Sequence, residues 1–159
     1  MENQDKIVVI PGYYLRTGTK CERPLLVKFL QQMYQELYPE QDFSHLAQTV
    51  EQYYSSKTPV WWVEEDSEVA KAPVGCLWLG NAIDQVSGVR HTHIFMLYVA
   101  PEHRRRGIGK ALVRHAEAWA KQRGDCQIGL QVFVKNQPAL NLYRQLGYET
   151  QSLWMLKYF

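Results

Sequence analysis

From His103 to Leu112 the chain reads HRRRGIGKAL, a basic turn carrying two glycines one residue apart. Before it, HTHIFMLYV at 91–99 reads as a strand. After it, Ile108, Leu112, Ala116 and Trp119 recur at helical spacing opposite Lys110, Arg114, Glu117 and Lys121, and Gly124 stops the helix. A strand that passes through a glycine turn into a helix brings bare backbone and positive charge to one point. The first amides of a helix lack intrahelical partners and lie at the positive end of its dipole. Gly107 and Gly109 allow close approach of a ligand, and Arg104, Arg105, Arg106 and Lys110 add charge. Such a turn suits phosphate oxygens.

The rest of the chain must build a sheet to hold that turn. KIVVI at 6–10 predicts a first strand. Leu26, Leu30, Met33 and Leu37 predict a helix over 22–37, with Pro24 in its first turn and Pro39 after its end. A second helix follows, with Phe43, Leu46, Val50, Tyr53 and Tyr54 on one side and Asp42 as its N-cap. VWWVEE at 60–65, PVGCLWLGNAI at 73–83 and the 91–99 run form an antiparallel meander. Beyond Gly124, alternation over 128–134 predicts a strand, Pro138–Leu146 a short helix, and TQSLWMLKY at 150–158 a closing strand. The expected architecture is one α/β domain over 1–159, in the order β-α-α-β-β-β-α-β-α-β. Its central sheet is mixed and mostly antiparallel, with helices on both faces.

Composition narrows the partners. The formal net charge is only +2, with the basic residues gathered at one turn, which argues against a nucleic-acid binder. The longest apolar run, 94–100, is too short to span a bilayer, and MENQDKIVVIPGYY lacks a signal-peptide pattern, so no membrane partner is expected. Cys21, Cys76 and Cys126 form no CxxC pair, which favours a reducing, cytoplasmic setting without a zinc site.

Two phosphate motifs fail on the turn. A P-loop would need glycine where Arg104 stands and Ser or Thr where Ala111 stands; a dinucleotide fingerprint would need glycine at Leu112. The pattern Arg104-x-x-Gly107-x-Gly109 instead resembles the acyl-CoA turn of the GCN5-related N-acetyltransferases, the GNAT family. NQPALNLYRQLGYE at 136–149 resembles that family's second signature, and the order of elements agrees. The resemblance extends over nearly the whole chain, and residues 91–149 carry most of it.

It implies acetyl-CoA as co-substrate, with no metal, and transfer of the acetyl group to a primary amine by direct attack. The acceptor would be a small molecule or a peptide amine. Leu97, Tyr98 and Val99 would pair with the pantetheine arm through main-chain groups. The amides from Arg105 through Arg106, Gly107, Ile108 and Gly109 to Lys110 would hold the pyrophosphate, helped by the Arg104 side chain. Asn136 would hydrogen-bond the pantetheine where two strands splay. Tyr143 would return a proton to the leaving thiolate, and the Val99 amide would face the developing oxyanion. Of the positions where relatives carry a basic Glu, one is Gln131, which cannot take a proton. Another is His93, which can near neutral pH. Glu64, Glu65 or an ordered water are the fallbacks. His91 and His93 lack an evident third metal ligand. Tyr13, Tyr14, Tyr34, Tyr53, Tyr54, Trp61 and Trp62 lie where an acceptor would enter, and their faces suit a cationic amine; whichever of Trp61 and Trp62 faces the helices is core. A homodimer through the sheets is compatible with the resemblance. The competing function is a non-catalytic acyl-CoA binding or sensing domain.

Overall fold

The computed structural model describes residues 6–159. Its elements are β1 (Ile7–Ile10), β2 (Tyr13–Thr17), α1 (Arg23–Leu37), α2 (Leu46–Tyr53), β3 (Val60–Glu65), β4 (Gly75–Ile83), β5 (Arg90–Val99), α3 (Ile108–Gln122), β6 (Ile128–Leu130) and α4 (Gln137–Gln145). The strands lie in the order β1-β2-β3-β4-β5-β6; all neighbours are antiparallel except β5 and β6.

Strand alternation sends successive side chains to opposite faces. Val60, Trp62, Cys76, Trp78, Met96 and Tyr98 meet α1 and α2 through Leu26, Phe29, Leu30, Leu46 and Val50. Trp61, Val63, Leu77, Leu79, Ile94 and Val99 meet α3 through Ile108, Leu112 and Ala116 on the other face. Helices therefore cover both faces, as expected. Trp61 and Trp62 are both core, one on each side, where one had been expected.

Four sequence expectations need correction. The first strand is a hairpin: β1 turns at Pro11–Gly12 into β2, whose five residues were too few to stand out. Asp42 does not cap α2; its carboxylate accepts the Ser44 amide at 2.9 Å in a tight turn, and His45 occupies the N-cap. The strand expected over 128–134 pairs only from Ile128 to Leu130. The closing strand over 150–158 is absent: residues 149–159 make no main-chain hydrogen bond among the described residues and lie exposed. The resulting order is β-β-α-α-β-β-β-α-β-α.

One irregularity in β5 decides the site. Trp78 pairs with Met96 and the next residue, Leu79, pairs with Ile94, so Phe95 is an extra residue in the ladder. Its ring lies over Gly80, where an added Cβ would fall 1.8 Å from it. Ile94 faces α3, yet both Phe95 and Met96 face α1 and α2, so the facing of the strand changes at the bulge.

Candidate functional site

β5 and β6 pair through Thr92–Ile128, His93–Gly129 and Ile94–Leu130, and then separate. A wedge opens between Phe95–Val99 on one wall and Gln131–Val134 on the other. In an antiparallel pair, main-chain groups alternate between pointing at the partner strand and away from it. Ala100 donates to the Val74 carbonyl at 2.7 Å, and Val99 faces Gly75. It follows that Tyr98 and Met96 direct their main-chain groups to β4, while Leu97 and Val99 direct theirs into the wedge.

The basic turn stands at the wide end of the wedge. Arg105 and Gly107 are left-handed, at φ 60° and 86°, and α3 begins at Ile108. Alternation of hand curls successive amides toward one side. The first helical bond is Ala111 N–H to the Gly107 carbonyl, at 3.1 Å. No amide from Arg105 to Lys110 finds an acceptor among the described residues. Six consecutive donors are therefore left unpaired at the positive end of α3, beside the exposed side chains of Arg105 and Lys110.

Two of the three arginines are committed within the chain. Arg104 donates from Nε to the Val99 carbonyl at 2.7 Å and from Nη2 to both Glu36 oxygens, at 2.9 and 2.7 Å. The Tyr98 hydroxyl donates to the same Glu36 at 2.8 Å, and burial together with that bond raises its pKa to about 12. Arg104 thus braces α1 against the end of β5 and is not turned toward the free amides. Arg106 donates to the Tyr13 hydroxyl at 2.7 Å, and that hydroxyl lies 2.7 Å from His103 Nδ1. Glu36 had no signal in the sequence, since its partner lies 68 positions away. Tyr13, expected at the acceptor entrance, is instead buried on the α3 face, where it bonds Arg106.

α4 closes one side of the wedge. Asn136 caps it, its Oδ1 accepting the Ala139 amide at 3.3 Å, which leaves Nδ2 free among the described residues. Leu142 and Leu97 both reach Gly109, where an added Cβ would lie 3.4 and 3.9 Å from them. The next residue, Tyr143, is buried and touches the Tyr148 ring at 5.6 Å between centroids. Burial pushes its phenol up to about 12, so it stays protonated at neutral pH, and no partner holds its hydroxyl among the described residues.

His93 stands at the apex, on the last rung but one before the strands part. Its ring lies 5.3 Å from Phe95, and burial, reinforced by His91, holds its imidazole below the ordinary 6.5. A neutral imidazole with a free lone pair can accept a proton. Gln131 lies on the opposite wall. Glu64 is engaged by Tyr14 and Arg16, and Glu65 by Lys71, both two strands away on β3. No group of three His, Cys, Asp or Glu side chains with metal-site geometry occurs among the described residues.

A wedge with strand amides along one wall and a run of unpaired amides at its mouth suits a ligand that carries both amide and phosphate groups. Residues 27–148 match the Acetyltransferase (GNAT) family, and the chain belongs to it. An uncharacterized N-acetyltransferase of Methanocaldococcus jannaschii is 32% identical over 117 residues, covering 64% of this chain and 50% of the relative. Human N-acetyltransferase 8 is 32% identical over 97 residues, covering 61% and 41%. The chain spans about half the length of the curated relatives it matches, or less. Among solved structures, a predicted acetyltransferase from Clostridium acetobutylicum, determined with acetyl-CoA, superposes with a TM-score of 0.74 at 16% identity, covering 92% and 96%. At that identity the likeness is one of fold.

Proposed function

We propose that this chain transfers an acetyl group from acetyl-CoA to a primary amine, of a small molecule or a peptide. The observation that carries this reading is the run of unpaired amides from Arg105 to Lys110 at the mouth of a wedge whose wall offers the Leu97 and Val99 main-chain groups. The residues fit the co-substrate. The six amides suit a pyrophosphate, with Arg105 and Lys110 supplying charge. Leu97 and the Asn136 Nδ2 suit the amide groups of a pantetheine arm, while the Val99 carbonyl is taken by Arg104 and only its N–H remains. Tyr98 lends no main-chain group; it and Arg104 hold the wall in place through Glu36.

Acetyl-CoA supplies an activated acyl group; the chain supplies alignment and protons. The Val99 amide donates toward the thioester carbonyl oxygen as charge develops there. Tyr143 gives its proton to the departing sulfur. His93, neutral at physiological pH, draws the proton from the incoming amine directly or through water. The acceptor enters on the α1 and α2 side, past Tyr34, Tyr53 and Phe95. The setting is cytoplasmic; no described helix is long and apolar enough to cross a membrane.

Thermal denaturation with acetyl-CoA, ATP and NAD tests the reading. At a hundredfold over its dissociation constant, a ligand stabilises by about 2.7 kcal/mol, or roughly 5–10 °C in a domain of this size. We expect a shift with acetyl-CoA alone, followed by thiol release in a screen of amines. Equal shifts with all three, or none, would refute it. A shift without turnover on any amine would leave an acyl-CoA sensing domain, a role that needs no proton donor at Tyr143.

A further inference from the structure

The two walls of the wedge part after the rung that pairs Ile94 with Leu130. Beyond it, no main-chain hydrogen bond joins residues 131–134 to another strand among the described residues. The β5 wall keeps β4 on one side and has lost β6 on the other. The spacing of the walls is therefore left to side chains, and the end of α1 touches both. Glu36 is its anchor on the β5 wall. Its Oε1 accepts the Tyr98 hydroxyl at 2.8 Å, and both its oxygens accept Arg104 Nη2, at 2.9 and 2.7 Å. Arg104 in turn donates from Nε to the Val99 carbonyl at 2.7 Å. The peptide that carries the Val99 N–H thus has both flanking residues tied to one carboxylate, Tyr98 directly and Val99 through Arg104. The Arg104 and Glu36 side chains are 42% and 35% exposed, and an ion pair so exposed adds little to stability. What this one supplies is position.

Phe133 is the anchor on the opposite wall. Its ring stands edge-on to both Tyr34 and Tyr38, at 5.6 and 5.4 Å between centroids. Two positions later, Lys135 donates to the Leu37 carbonyl at the end of α1, where a helix lacks its own donors. The same ammonium lies 4.7 Å from the centre of the Tyr38 ring. Asn136 follows directly and caps α4, which carries Tyr143. The wall that leads to these two residues is therefore tied to the same turn of helix as the wall that holds Val99.

We propose that the last turn of α1 with its cap, residues 34–38, sets the width of the wedge, and that Glu36 and Phe133 are positioning residues on its two sides. Neither is asked to touch the reacting atoms. Together they keep the Val99 N–H on one wall aligned with Asn136 and Tyr143 beyond the other. This inference rests on the acetyl-transfer reading above and adds residues outside the site on which the rate depends. Because one turn carries both anchors, losing either releases the same spacing, and losing the second costs little more.

Glu36→Gln and Phe133→Ala should each lower kcat about tenfold at saturating acetyl-CoA and amine, the effect of a small misalignment. Calorimetry should find acetyl-CoA affinity within a few-fold of the original, because the amides for the pyrophosphate belong to the turn ahead of α3. The double variant should be at most about twofold slower than either single one, whereas independent damage would multiply to about a hundredfold. The thioester carbonyl of bound, isotope-labelled acetyl-CoA should absorb in the infrared below the frequency of the free molecule, and each variant should move it back toward the free value. Phe133→Tyr, which keeps the ring, should restore both rate and frequency. Should either variant melt below the assay temperature, Tyr98→Phe and Phe133→Leu remove fewer contacts and should show the same pattern at smaller amplitude. Losses that multiply, a fall in affinity large enough to account for the lost rate, or a carbonyl band unmoved by the variants would each overturn the proposal alone. An unaltered protein that does not bind acetyl-CoA would overturn the reading beneath it as well.

Discussion

Gly107 and Gly109 look alike in sequence, but the structure asks different things of them. Gly107 has φ 86°, and an added Cβ would meet nothing within 4 Å. The cost of Gly107→Ala is therefore conformational: about 1–2 kcal/mol for an L-residue in the left-handed region. In a domain of this size that lowers the midpoint by roughly 2–8 °C. Relaxing toward negative φ would turn the Arg106 to Ile108 amides away from their common focus. We expect acetyl-CoA affinity to fall at least about tenfold, a little over 1 kcal/mol. Gly109 lies inside the first turn of α3, and its added Cβ would meet Leu142 at 3.4 Å, an ordinary contact. Gly109→Ala should leave the stability within about 1 kcal/mol of the original, with helix propensity in its favour. Its affinity should stay within a few-fold. Calorimetric titration of acetyl-CoA and melting curves on the two variants decide the matter. Equal damage from both, or unimpaired binding by Gly107→Ala, would refute the assignment of the amide cluster.

Other outcomes follow from the same geometry. Tyr143→Phe should lower kcat at least about tenfold while leaving KM for acetyl-CoA unchanged, in steady-state kinetics by thiol release. With His93 as base, activity needs its neutral form: kcat/KM should be flat at neutral pH and fall as pH drops through a pKa below 6.5, and His93→Ala should abolish that acid limb. The same depressed pKa means that the unfolded chain binds the proton more readily, so this group's contribution to stability declines as pH falls below 6.5. Asn136→Ala should cost about 1 kcal/mol of stability through the lost cap and should raise KM for acetyl-CoA through the lost Nδ2. Asp125, 1% exposed, accepts from Arg123, Arg90 and Thr92, so Asp125→Ala should cost about 3 kcal/mol by chemical denaturation.

Local signals made much of this legible in the sequence. α1, α3 and α4 fall within a residue or two of the expected bounds because caps and periodicity are written in neighbouring residues. β3, β4 and β5 follow from dense β-branched and aromatic runs. The basic turn and the helix start that follows it were legible because glycine spacing, charge and periodicity coincide within ten residues. What escaped depends on distant partners. Nothing near Arg104 says that Glu36 holds it, so a side chain that reads as a ligand for phosphate serves as a brace. Nothing in HTHIFMLYV marks Phe95 as an extra residue; the bulge exists because Gly80, on another strand, leaves room for its ring. The 150–158 segment has the composition of a strand, but it pairs with no other strand among the described residues, although the outer edge of β6 is open.

The bulge at Phe95 also constrains how this strand can vary in length. Ahead of it, even-numbered residues such as Ile94 face α3; beyond it, Leu97 and Val99 do. Which amides look into the wedge is thus a matter of parity, set once at Phe95. Deleting one residue between Phe95 and Val99 would remove the bulge and leave a regular ladder, with Val99 still opposite Gly75. Inserting one after Met96, with the pairing ahead of it unchanged, would instead turn the amides of Leu97 and Val99 into the sheet and send the Tyr98 ring away from Glu36. Loops such as 66–73 and 84–89 carry no such constraint and can gain or lose residues one at a time. This stretch of β5 can lose a single residue to the bulge but cannot gain one without changing which amides face the wedge.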